Sequence, residues 1–88
     1  MSNITFTEKA FGEYLYWQSQ DKKTLKRINS LLKDISRNPY KGIGKPEGLK
    51  DNLSGYWSRR IDDKNRLVYR IKNEQIEVYQ CKNHYEDK

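Results

Sequence analysis

The chain is poor in the residues that usually staple a small fold. It holds one cysteine, Cys81, so no internal disulfide can form. One histidine, His84, added to that cysteine still falls short of the three or four nitrogen and sulfur ligands of a zinc site. Packing alone must hold the fold. Apolar runs are only a few residues long and mean hydropathy is −1.16, whereas a bilayer span needs ~20 apolar residues, so no transmembrane helix and no membrane partner are expected. The opening Met1-Ser2-Asn3-Ile4-Thr5-Phe6 has neither a basic nor an apolar leader segment, which gives a cytoplasmic expectation. Aliphatics are scarce as well. Leu, Ile, Val and Phe supply 18 of 88 residues, near the roughly 20% border of disorder. Seven Tyr and two Trp tip the balance, because each aromatic buries about 150–250 Å².

At 88 residues the chain makes one domain, spanning 1–88, with a thin core. Its 18 Lys and Arg against 12 Asp and Glu give a net charge of +6, which favours polyanionic partners, nucleic acid first. A merely solvated basic surface accounts for the charge equally well.

Ile4 and Phe6 alternate with polar neighbours and predict a short opening strand. Thr7 then reads as an N-cap, and Ala10, Phe11, Tyr14, Leu15 and Gln18 repeat at helical spacing. Asp21 caps a second helix striped by Leu25, Ile28, Leu32 and Ile35, which Asn38-Pro39 ends. From Tyr40 to Leu53 the period is lost among Gly42, Gly44, Pro46 and Gly48, predicting a long loop of the kind that carries function. Three runs of period two follow, Tyr56 to Ile61, Arg66 to Ile71 and Gln75 to Cys81, joined by short turns as an antiparallel meander. The fold class expected is α+β, two N-terminal helices covering one face of a small, largely antiparallel sheet.

Cleaving RNA needs cations for phosphate, a base and an acid for the protons, and often an aromatic for stacking. Arg59 and Arg60 are strand neighbours and point to opposite faces. One of them is expected to meet phosphate, or else one is solvated and the other pairs with Asp62 or Asp63. Arg66 and Arg70 share a face and would form a guanidinium patch if helices leave that face open. His84 is the one obvious proton donor and excludes a two-histidine mechanism, leaving a carboxylate base with a histidine acid; a near-terminal histidine is otherwise a solvated one. Glu47 lies in the glycine-rich loop between Lys45 and Lys50, where it is either that base or a loop acid balancing lysines. The loop lacks the GxxxxGK[ST] pattern of a P-loop.

Four blocks and the chain's end narrow these alternatives: Tyr14-Leu15-Tyr16-Trp17, Gly44-Lys45-Pro46-Glu47-Gly48-Leu49-Lys50, Asn52 through Ile61, Arg66-Leu67-Val68-Tyr69, and His84-Tyr85. In this order and spacing they closely resemble the YoeB/Txe branch of the RelE toxin superfamily, over nearly the whole chain. That resemblance implies a RelE-like, microbial-ribonuclease-like fold and a bacterial type II toxin. It implies an endoribonuclease, or mRNA interferase, that enters the ribosomal A site and cuts the translated mRNA without a metal or other cofactor. By position it implies Glu47 as general base, Arg66 as phosphate-stabilising cation, His84 as general acid and Tyr85 as the aromatic beside it. Lys45, Lys50 and Arg59 would contact RNA or phosphate. The partners implied are the ribosome with A-site mRNA, a cognate YefM/Axe-like antitoxin, and a second copy in a homodimer. The chain carries Glu86-Asp87-Lys88 beyond the His-Tyr pair, where members of the family often stop, which bears on how His84 is oriented. The competing reading is a non-catalytic basic module that blocks translation by binding ribosomal RNA. Sequence-specific DNA binding is weaker, since helix-turn-helix and zinc modules are missing.

Overall fold

The computed structural model describes residues 3–85, so Glu86-Asp87-Lys88 lie outside the described residues. Strand β1 (Ile4–Phe6) leads into helices α1 (Glu8–Gln20) and α2 (Lys22–Arg37). Strands β2 (Glu47–Gly48), β3 (Trp57–Arg60), β4 (Arg66–Lys72) and β5 (Gln75–Gln80) follow, with a short 3-10 turn at Asp51–Leu53. The sheet order is β1-β5-β4-β3-β2, antiparallel throughout except where β1 lies parallel to β5. This is the α+β layer expected from the periodicities.

Both caps form. Thr7 accepts the N–H of Ala10, and Asp21 accepts those of Lys23 and Thr24, satisfying N–H groups that a helix start leaves unpaired. The face of α1 differs from the expectation. Ala10 and Trp17 are buried and Tyr14 half-buried, whereas Phe11 is 50% and Leu15 45% exposed. Residues 10, 13, 14 and 17 share one helical stripe, and Glu13 in that stripe disguised it. Two hydrogen bonds set the rotation: the Trp17 indole N–H donates to the Cys81 carbonyl, and the Glu13 carboxylate accepts the Cys81 N–H.

The main core lies between the helices and one face of the sheet, with Ile28, Leu31, Ile35, Leu67, Tyr69, Ile76 and Val78 at its centre. Alternation along β4 sends Val68 to the other face, where it joins Leu49, Leu53, Tyr56, Tyr79 and Tyr85 in a second apolar cluster. A bulge in β5 reconciles the two faces. Val68 pairs with Gln80 but Tyr69 with Val78, so Tyr79 is the extra residue, Gln80 shares the open face, and Cys81 returns to the main core. Burial pushes the Cys81 thiol up to about 12, with Glu13 adding to it, which leaves the thiol unreactive near neutrality.

The segment 40–53 is not loop throughout. Glu47 and Gly48 pair with Ser58 and Trp57 as β2, an element too short to show a period. The irregular stretch before it is organised by Arg59. That side chain is fully buried, and its five N–H donors reach the Tyr69 hydroxyl, the Asp34 carboxylate and the carbonyls of Ile43, Asn38 and Lys41. Its ionic partner is thus Asp34, not Asp62 or Asp63. Gly42 is obligatory beside it, since at φ +130° a Cβ would fall 1.9 Å from the Asp34 carboxylate.

Arg59→Met should lower unfolding free energy by about 3 kcal/mol or more in urea denaturation, because the carbonyls and the carboxylate it satisfies lose their donor. The Arg59 side chain, and then the Ile43 N–H, hold the Asp34 carboxyl below the ordinary aspartate range. Its contribution to stability is therefore complete above about pH 4 and is lost as the pH falls through the lower folded-state value. Asp34→Asn should flatten that acid limb in melting curves recorded below about pH 4.

Candidate functional site

Antiparallel register decides which side chains meet on the face away from the helices. Cross-strand partners share a face, so the pairs Glu47 with Ser58 and Arg60 with Arg66 bring four polar side chains together. They line a cavity of about 380 Å³, completed by Lys45, Pro46, His84 and Tyr85. Lys45 enters at φ +51° from the segment braced by Arg59, where the Arg60 N–H holds the Gly44 carbonyl.

Arg60 and Arg66 directly opposite each other repel, which costs stability unless something negative lies between them. Arg66 is buried to 9% exposure, and its Nη1 donates to the carbonyls of Asp62 (2.6 Å) and Asn65 (3.1 Å). The turn that supplies those carbonyls is itself rigid. Partial burial opposes the charge of Asp62, yet the Asn65 amide and the N–H groups of Lys64 and Asn65 outweigh it and keep the carboxyl below its usual range.

His84 is exposed and stacks on Tyr85, ring centroids 4.6 Å apart and planes 25° apart. Tyr85 is half-buried against the second apolar cluster, which anchors the pair. The His84 Nδ1 lies 3.0 Å from the Tyr85 carbonyl. A carbonyl only accepts, so this contact is a hydrogen bond when Nδ1 carries a proton.

Of the residues singled out from sequence, the structure gathers Lys45, Glu47, Arg66, His84 and Tyr85 in one cavity. Lys50 is exposed and is not among the lining residues. Arg59 is a correction: it points into the main core, with every donor engaged, and has no surface to offer a phosphate. Arg60 and Ser58 line the cavity instead. A signal for this existed, since Trp57 and Ile61 share the parity of Arg59 and belong to the core side. Arg70 shares the face of Arg66 but forms no patch with it, because Glu77 pairs with it and the Tyr56 ring lies under its guanidinium. Among the described residues no group of three or more His, Cys, Asp or Glu could hold a metal ion, and no helix is long and apolar enough to cross a membrane.

Arg60→Ala should relieve the repulsion with Arg66 and leave the melting temperature unchanged or raised. The same variant should bind a small polyanion such as tripolyphosphate about tenfold more weakly in calorimetric titration at fixed salt, one charge-assisted contact having been lost. Arg59→Ala should instead lower the melting temperature.

A family model described as the YoeB-like toxin of bacterial type II toxin-antitoxin systems matches residues 6–85. A Toxin YoeB from Synechocystis is 55% identical over 83 residues, 94% of this chain and 96% of that one. Two Staphylococcus aureus structures superpose with TM-scores of 0.89. A YoeB dimer is 54% identical, covering 96% of this chain and 98% of that one, and a YoeB-YefM complex is 52% identical, covering 97% and 99%. With the fold and the sequence in agreement over nearly the full length, the chain belongs to the YoeB family of type II toxin-antitoxin toxins.

Proposed function

We propose that the chain is a ribosome-dependent endoribonuclease that cuts translated mRNA in the A site. The observation that carries the chemical step is the meeting of Glu47, Arg66 and His84 in a single cavity, because binding alone requires no base facing an acid. Family membership and the motif resemblance support the ribosomal setting, and the net charge of +6 suits a polyanionic substrate.

In the reaction, the Glu47 carboxylate takes the proton of the ribose 2′-hydroxyl. The 2′-oxygen attacks phosphorus, forming the O2′–P bond while the P–O5′ bond breaks. His84, protonated on both ring nitrogens, gives the Nε2 proton to the departing 5′-oxygen. Arg66, with Arg60 and Lys45 beside it, offsets the charge that gathers on the phosphoryl oxygens. The products are a 2′,3′-cyclic phosphate and a 5′-hydroxyl, which balances atoms and protons without a co-reactant. Strands β2 and β4, each paired with β3, present the base and the cation, and Tyr85 stacks on the imidazole of the acid.

The S. aureus relative assembles with YefM, and by that likeness a YefM/Axe-like antitoxin is the proposed partner of this chain. The YoeB dimer from the same species supports self-association in the same way.

Primer extension on mRNA translated in a purified system tests the reading. Wild-type protein should leave discrete breaks near the A site that are missing from ribosome-free mRNA and vanish with Glu47→Ala. Inhibition without breaks would overturn it in favour of a blocking module. His84→Ala should slow cleavage about 100-fold and Arg66→Ala about 1,000-fold, measured as single-turnover rates.

A further inference from the structure

Asn65 precedes Arg66 in the chain and is not among the residues lining the cavity, yet three elements of the site meet at it. Its side-chain amide nitrogen donates to both carboxylate oxygens of Asp62, at 3.1 Å each, and its backbone N–H donates to Asp62 Oδ1 at 2.7 Å. Its main-chain carbonyl accepts Arg66 Nη1 at 3.1 Å. Its side-chain oxygen accepts the N–H of Asn83 at 2.6 Å.

The last of these contacts bears on His84, the next residue. Asn83 adopts φ +67°, a left-handed conformation that asparagine tolerates better than most residues other than glycine. Its N–H is held by Asn65, and its carbonyl accepts both the Arg66 N–H at 3.1 Å and the buried Gln80 amide at 3.0 Å. The two peptide groups that flank Asn83 are therefore both held, the one before it by Asn65 in the turn and the one leading into His84 by the Arg66 N–H of β4 and the Gln80 amide of β5. Asp62 decides which way the Asn65 amide points. A carboxylate only accepts, so the nitrogen must face Asp62 and the oxygen must face Asn83.

We propose that Asn65 is a positioning residue for His84, its amide oriented by Asp62 so that its oxygen holds Asn83 and thereby sets the imidazole against the phosphate that Arg66 grips. The inference rests on the endoribonuclease reading for its effect on rate. It stands apart from that reading in its structural consequence. The turn that seats the Arg66 guanidinium also seats the residue before the acid, so the two groups are placed by one rigid unit.

Two variants with two readouts test this. Asn65→Ala should slow single-turnover cleavage at saturating ribosomes by about 10- to 100-fold, with the half-saturating concentration within about threefold of wild type. In the same variant the Asn83 amide should exchange with solvent faster, and the His84 ring resonances should shift as stacking on Tyr85 changes. Asn65→Asp keeps the acceptor for Asn83 but sets a second carboxylate against Asp62. It should therefore melt below Asn65→Ala and yet cleave faster than it. A purely structural role would rank activity in the order of stability, and that ranking would overturn the proposal. So would unchanged Asn83 exchange and His84 resonances in Asn65→Ala. If wild-type protein leaves no breaks, the endoribonuclease reading fails, while exchange and ring shifts still decide whether Asn65 sets His84.

Discussion

A buried guanidinium holds the structure in register. Arg59 has no exposure, and a charge in that position is tolerated only when every donor is satisfied and an opposite charge lies close. Asp34 supplies the charge from the last turns of α2. The carbonyls of Asn38, Lys41 and Ile43 supply the rest, so the chain leaving α2 is wrapped around the side chain instead of forming a regular element. The Tyr69 hydroxyl closes the set by accepting from Arg59 and donating to the Pro39 carbonyl, which ties β4 to the same segment. Gly44, at φ +79°, then passes so close to Leu31 and β3 that a Cβ would meet the Leu31 side chain at 2.8 Å. The route taken by residues 38–44 is thus the shape of the Arg59 hydrogen-bond shell, and it delivers Lys45 and Glu47 to the cavity.

The open face of the sheet would be a liability in a domain this small if it were wholly polar or wholly apolar. It is divided instead. One end carries the second apolar cluster, where Leu49, Leu53 and Val68 are covered by Tyr56, Tyr79 and Tyr85. The other end carries the polar cavity, and Tyr85 belongs to both. The cavity draws on both kinds of backbone: Glu47 and Arg66 ride on paired strands, while His84 rides on a non-helical, non-strand segment anchored by the Tyr85 ring and by main-chain hydrogen bonds at Asn83. Preorganised donors meet negative charge without reorganising, which suits the proposed reaction at phosphorus.

The two helices with their caps, the three-strand meander, the class of fold and the sharing of one cavity by Glu47, Arg66, His84 and Tyr85 are legible in the sequence because each leaves a local mark: a period, a cap or a motif block. Elements whose placement depends on distant partners left none. Strand β2 is two residues long and exists only because β3 is there to pair with it. The buried face of α1 is hidden from local periodicity because Glu13, a polar residue in the buried stripe, has its partner 68 positions away at Cys81.

Arg59 and Arg60 mark the boundary between the two kinds of information. Sequence determines that adjacent strand residues face opposite ways, that the chain is basic, and that a carboxylate, arginines and one histidine are present in motif blocks. Tertiary structure decides which arginine goes inward, because only the packed sheet shows that Asp34 and three carbonyls wait on the helix side while Arg66 and an open cavity wait on the other. Local alternation is a property of covalent geometry and can be read along the chain. The environment that chooses between two identical side chains is assembled from residues far apart in sequence, and it exists only once the chain has folded.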